Sequence, residues 1–200
     1  MEAAAPPHAL HDTNTGIDNR KIGVWLFLGS EVMFFSALIA AYALTRWGAG
    51  SPGKPVEIFQ EAIPLISLNT FLLICSSLTM ALSLAFARRG NPIGLRVSLL
   101  LTILLGATFV TIQSVEYNEL FHKGLTMNGV PHLFGSPFYL LTGFHGMHVV
   151  AGVIWNFFVW LKAMRGGFSR ENHLGIELAG LYWHFVDLVW IVLFTIIYLI

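Results

Sequence analysis

Five long apolar runs, at about 22–44, 63–86, 95–115, 138–161 and 176–200, alternate with shorter polar segments along the chain. Each reaches the roughly 20 residues that a helix needs to cross the hydrocarbon of a bilayer. Asn91-Pro92 and Ser136-Pro137 read as an N-cap followed by proline in a first turn, and Pro64 also suits a first turn. Gly90 and the Gly166-Gly167 pair mark breaks between helices. On the second run Asn69, Ser76 and Ser83 recur every seven residues, a stripe that lets helices approach closely. The predicted fold is an all-α integral membrane protein, a bundle of five transmembrane helices. It divides into a polar tail, 1–20, and a single five-helix domain, 21–200.

Composition agrees. Of 200 residues 56% are hydrophobic and 11% charged, where a soluble domain carries about 25% charged residues. The formal net charge is zero, which argues against a nucleic-acid partner. A lone cysteine, Cys75, excludes internal disulfides and Cys-rich metal centres. The tail contains Pro6, Pro7, His8 and His11 and no apolar core of the kind a signal peptide has, so it is expected to be solvated.

Basic residues set the expected orientation. Arg20, Lys21, Arg88, Arg89, Arg96, Lys162, Arg165 and Arg170 fall on one side, against Arg46, Lys54 and Lys123 on the other. The positive-inside rule then puts the N-terminus in the cytoplasm and the C-terminus outside, on the periplasmic face. The two outer loops, 45–62 and 117–137, contain Phe59, Leu120, Phe121, Leu133 and Phe134, so they are expected to lie on another protein or in the interface.

Polar residues inside the apolar runs carry the candidate chemistry. Glu31 lies roughly 15 Å along the first helix from Lys21, near the midplane, between Phe27, Leu28, Phe34, Phe35 and Leu38. An ionised carboxylate there costs at least about 2.5–3.5 kcal/mol unless it is paired or takes up a proton. His145 and His148 are three apart on the fourth helix, and His184 and Asp187 three apart on the fifth, so each pair shares a helix face. Three imidazoles and two carboxylates thus fall at overlapping depths. That set is open to three readings: a metal site built from facing helices, a bis-histidine haem, or a hydrogen-bonded network that fixes packing. Gln113 and Glu116 fall at the outer end of the third helix, where interface anchoring is expected, and Glu177 in the first turn of the fifth, where the helix dipole favours an anion. Trp183 and Trp190 are too deep for an aromatic belt and are expected to pack on another helix.

These blocks resemble the cytochrome c oxidase subunit III family of heme-copper terminal oxidases. Ser30-Glu31-Val32-Met33-Phe34-Phe35, Asn69-Thr70, Gln113 with Glu116-Tyr117, Gly135-Ser136, 142–149 (TGFHGMHV) and 182–190 (YWHFVDLVW) are similar to its motifs in the same order. The resemblance covers nearly all of 21–200. It implies a non-catalytic subunit of a complex that reduces oxygen to water and translocates protons. It also implies no catalytic residue, metal ligand or cofactor site in this chain, with haem and copper in partner subunits I and II, packing mainly on subunit I, and bound phospholipid. The implied location is a bacterial plasma (inner) membrane, multi-pass. Glu31 matches the family's buried, carbodiimide-reactive glutamate. The matching polar positions are Asn69, Gln113, Glu116, His145, His148, Glu177, Trp183, His184, Asp187 and Trp190. Longer members have two more helices before the one holding Glu31, as the wall of a V-shaped lipid cleft, and short bacterial members lack them. Cytochrome c- and quinol-oxidising complexes both contain such subunits, and similar ones accompany nitric-oxide reductases. From the residues alone, the rival is an independent membrane metalloenzyme using Glu31, His145, His148, His184 and Asp187.

Overall fold

A computed structural model of the chain describes residues 18–48, 61–125 and 135–200. His8, His11, Phe59, Leu133 and Phe134 lie outside the described residues, so the expectations placed on them do too. The helices are α1 (Asn19–Trp47), α2 (Ile63–Arg89), α3 (Pro92–His122), α4 (Gly135–Met164) and α5 (Leu174–Phe194), the last running into a π-helical turn, Thr195–Leu199. All five are long and apolar enough to cross a membrane, and the all-α bundle read from the sequence is the one observed. They outrun the apolar segments that announced them. At 31 residues α3 is about 46 Å long, against roughly 30 Å of hydrocarbon, so its ends project into the interface.

Local chemistry sets the helix starts. The Asp18 side chain accepts from Arg20 N–H at 2.8 Å and opens α1. Asn91 accepts from Gly94 N–H at 3.0 Å and opens α3, with Pro92 in its first turn. Gly90 ends α2 at φ 69°, the left-handed conformation that glycine adopts without a Cβ penalty. The Arg96 guanidinium reaches the carbonyls of Ala163 and Met164, supplying partners for the exposed end of α4.

Four helices close a ring in which α2 packs on α3, α3 on α4, α4 on α5 and α5 back on α2. Outside this ring, α1 packs on α4 and α5. Lipid tails are as apolar as leucine, so close packing and internal hydrogen bonds must hold these helices together. The α2 stripe supplies both, with Asn69, Ser76 and Ser83 all buried. Trp183 of α5 donates its indole N–H to Ser76 Oγ at 3.0 Å, and Trp190, two turns on, donates to Thr70 Oγ1 at 3.0 Å. The chain positions descend on α2 as they rise on α5, as antiparallel neighbours require.

Each tryptophan forms one layer of the core. Around Trp183 the neighbours are small: a Cβ on Gly106 would come within 2.6 Å of its ring, and one on Gly152 within 2.8 Å. Around Trp190 they are aromatic, with His145 stacked on it at 4.9 Å and Phe109 edge-on at 4.9 Å. Gly152→Ala is therefore expected to overpack the first layer and cost about 1–3 kcal/mol. Gly143→Ala adds its methyl where nothing lies within 4 Å and is expected to be neutral. Thermal denaturation of the purified protein in its native complex checks the pair; equal midpoints for the two variants would refute the packing account.

Candidate functional site

Glu31 finds its partner on another helix. Its Oε2 lies 3.1 Å from His148 Nε2 on α4, with the two side chains 16% and 18% exposed. The other ring nitrogen, Nδ1, lies 2.7 Å from the Phe144 carbonyl, which can only accept, so Nδ1 carries a proton. Nε2 then either accepts from a protonated Glu31 or, in an imidazolium, donates to a carboxylate. Both arrangements share one proton and leave the pair net neutral, which is what a low-dielectric site demands. Phe34 and Phe35 flank the imidazole at ring distances of 6.4 and 5.2 Å, and Tyr182 of α5 donates to the His148 carbonyl at 3.0 Å.

Two further contacts hold α1. Near its start Lys21 pairs with Glu177 in the first turn of α5 at 2.7 Å, so Glu177 meets both a cation and a helix N-terminus. Near its end Arg46, read from sequence as a loop residue, lies within the helix and is 5% exposed. Its Nη1 donates to Tyr42 Oη at 2.9 Å and to the carbonyls of Ile196 and Ile197 at 2.8 Å each. A cation thus meets the carbonyl-rich end of α5, the favourable end of the dipole. The i,i+4 spacing of Tyr42 and Arg46 was the available sequence signal.

The remaining candidate residues separate. His145 is fully buried against Trp190, Phe109 and Phe35, and neither ring nitrogen has a hydrogen-bond partner among the described residues. His184 meets α2, with its Nδ1 2.6 Å from Ser77 Oγ, while Asp187 Oδ1 is buried without a hydrogen-bond partner among the described residues. Asn69 donates to the Phe109 carbonyl at 3.2 Å. Among the described residues no group of three His, Cys, Asp or Glu side chains could hold a metal ion. The five groups that shared a depth are parted among the α1–α4 contact, the core and the α2–α5 contact.

The reading of Gln113 and Glu116 as interface anchors is corrected, since Glu116 is 2% exposed and Gln113 4%. Tyr198 donates to Glu116 Oε1 at 2.6 Å, and Gln113 donates to Tyr117 Oη and to the Thr142 carbonyl at 3.3 Å each. Both residues fall on the inward stripe of α3 that includes Gly106 and Phe109, a spacing of three and four that was visible in the sequence. Beyond the membrane Lys123 pairs with Glu61 at 2.8 Å and holds that exposed carboxyl below its ordinary range.

The Glu31–His148 contact is open to a double-mutant cycle. Glu31→Ala and His148→Ala, alone and together in the assembled protein, should show a coupling of about 0.6–1.7 kcal/mol in thermal or denaturant stability. Additive losses would show that the two side chains do not interact.

The family model for cytochrome c oxidase subunit III matches residues 6–200. A probable cytochrome c oxidase subunit 3 of Mycobacterium leprae is 39% identical over 90% of this chain and 87% of its own length. The cytochrome c oxidase subunit 3 of Bacillus sp. strain PS3 is 34% identical over 90% of this chain and 86% of its own. The quinol oxidase subunit 3 of Bacillus spizizenii is 34% identical over 89% and 85%. A match of this length, on a bundle of five membrane-spanning helices, shows that the chain belongs to the cytochrome c oxidase subunit III family.

Proposed function

We propose that this chain is the non-catalytic subunit III of a bacterial terminal oxidase, which reduces oxygen to water and translocates protons. The observation that carries the reading is the family match over 6–200. The separation of Glu31, His145, His148, His184 and Asp187 among the α1–α4 contact, the core and the α2–α5 contact supports it, because these groups serve packing between different helices rather than meeting at one place. In this reading haem and copper reside in subunits I and II, and the chain packs mainly on subunit I in the plasma membrane. It also holds phospholipid and supports proton uptake by the complex. Its N-terminus is cytoplasmic, the side given by the eight basic residues clustered at one end.

The bundle also suits attachment to a larger partner. Large apolar side chains remain exposed on α1, among them Trp25, Leu26, Met33 and Leu44, and on the other helices. In a membrane such surfaces face lipid or another subunit.

Deleting the chain should leave an oxidase that keeps its haem spectrum and its initial oxygen-reducing turnover, and that inactivates faster as it works. Visible spectroscopy and an oxygen electrode check this on the purified complex. Loss of all haem while subunit I persists would contradict the non-catalytic role.

A further inference from the structure

We propose that the end of the bundle where α2, α3, α4 and α5 have their basic termini contains a binding site for the phosphate of an anionic phospholipid. A cavity of about 310 Å³ opens there, between the α2–α3 turn and the α4–α5 connection. Its floor is apolar, with Ala87, Leu95 and Phe168, and its rim is polar, with Asn91, Ser169 and Arg170. The proposal deepens the reading that the subunit holds lipid, and it locates one lipid away from α1.

The Arg170 side chain is already positioned. It lies across Gly90, where a Cβ would come within 2.6 Å of Nε, and Nε donates to the Arg89 carbonyl at 3.1 Å. Gly90 is thus required twice, by its φ of 69° and by this close approach. Among the described residues no hydrogen bond or ion pair engages the terminal nitrogens of Arg170, and no carboxylate lines the cavity. A guanidinium anchored by one nitrogen, with two left to donate, suits the oxygens of a phosphate. The Ser169 hydroxyl at the rim accepts from Asn172 N–H at 3.1 Å and keeps its own proton to give.

Charge points the same way. Arg88, Arg89, Arg96, Lys162 and Arg165 sit at this end, and none forms an ion pair among the described residues. Asp18 and Glu177, near this end of α1 and α5, are matched by Arg20 and Lys21, which leaves the exposed Glu171 beside Arg170 as the one acid at this end without an ion pair among the described residues, against those five cations. Basic pockets between transmembrane helices on the cytoplasmic side are suited to anionic head groups. The apolar floor separates a lipid from free phosphate: it offers the first methylenes of an acyl chain a surface that an inorganic ion does not use. Helix ends surround the cavity, so it lies at head-group depth.

Native mass spectrometry of the intact oxidase complex tests the site, with phosphatidylglycerol or phosphatidylcholine added in detergent. The wild type should retain one more phosphatidylglycerol than Arg170→Gln, with an affinity for it at least about tenfold higher. Ser169→Glu, which adds an anion at the exposed rim, should lose the same lipid. Haem content and oxygen reduction should not change in either variant. Equal, nonzero phosphatidylglycerol counts in all three would overturn this site while leaving the broader lipid reading intact. A wild type holding no phospholipid would overturn the broader reading as well. Displacement by millimolar inorganic phosphate, or equal retention of phosphatidylcholine, would overturn the assignment to an anionic lipid.

Discussion

Within hydrocarbon no water waits to satisfy a polar group, so a polar group on a transmembrane helix is costly unless it meets a partner inside the protein. The two indole N–H groups of α5 show how this constraint organises the ring. Trp183 and Trp190 are too large to pack without small neighbours and too polar to leave unpaired, and α2 meets them with hydroxyls at Ser76 and Thr70. Gly106 and Gly152 then open space for the first ring, while His145 and Phe109 fill the space around the second. Small residues, hydroxyls and indoles are one packing solution. Changing any of them disturbs the others.

Helix α1 follows a different rule. Its most apolar window is only 11% buried, against 28–50% for the other four, so packing alone holds it weakly. Polar contacts compensate at three heights: Lys21 with Glu177, Glu31 with His148, and Arg46 with the π-helical turn of α5. Between them Leu28, Phe35 and Tyr42 form a buried seam with one residue every two turns. The middle contact is the one whose loss would strand a group in hydrocarbon, because Lys21 and Arg46 lie near the helix ends.

Much of this was legible in the sequence. Hydropathy located all five helices, and the seven-residue repeat on α2 located its buried face. The depth of Glu31 required a partner, and an imidazole such as His148 was within reach. What sequence could not give was which equal-depth groups meet. Depth is a coordinate along the helix axis, whereas contact depends on rotation about it and on which helices are neighbours. His145 and His148 differ by three positions, yet one stacks on Trp190 in the core and the other turns to α1. Arg46 was missed because hydropathy ends the helix at the last apolar residue, while the helix itself continues to Trp47. Glu116 was assigned to the interface on its charge, although its place on the α3 stripe pointed inward.

The central claim is that Glu31 joins α1 to α4 and takes no part in the chemistry of oxygen. Glu31→Gln tests it most directly, because the amide keeps the shape and can still hydrogen-bond His148. Oxygen consumption by the purified, fully assembled complex should remain within about twofold of the wild type. Abolished oxygen reduction in a complex with normal haem content and all its subunits would make Glu31 catalytic and contradict the account.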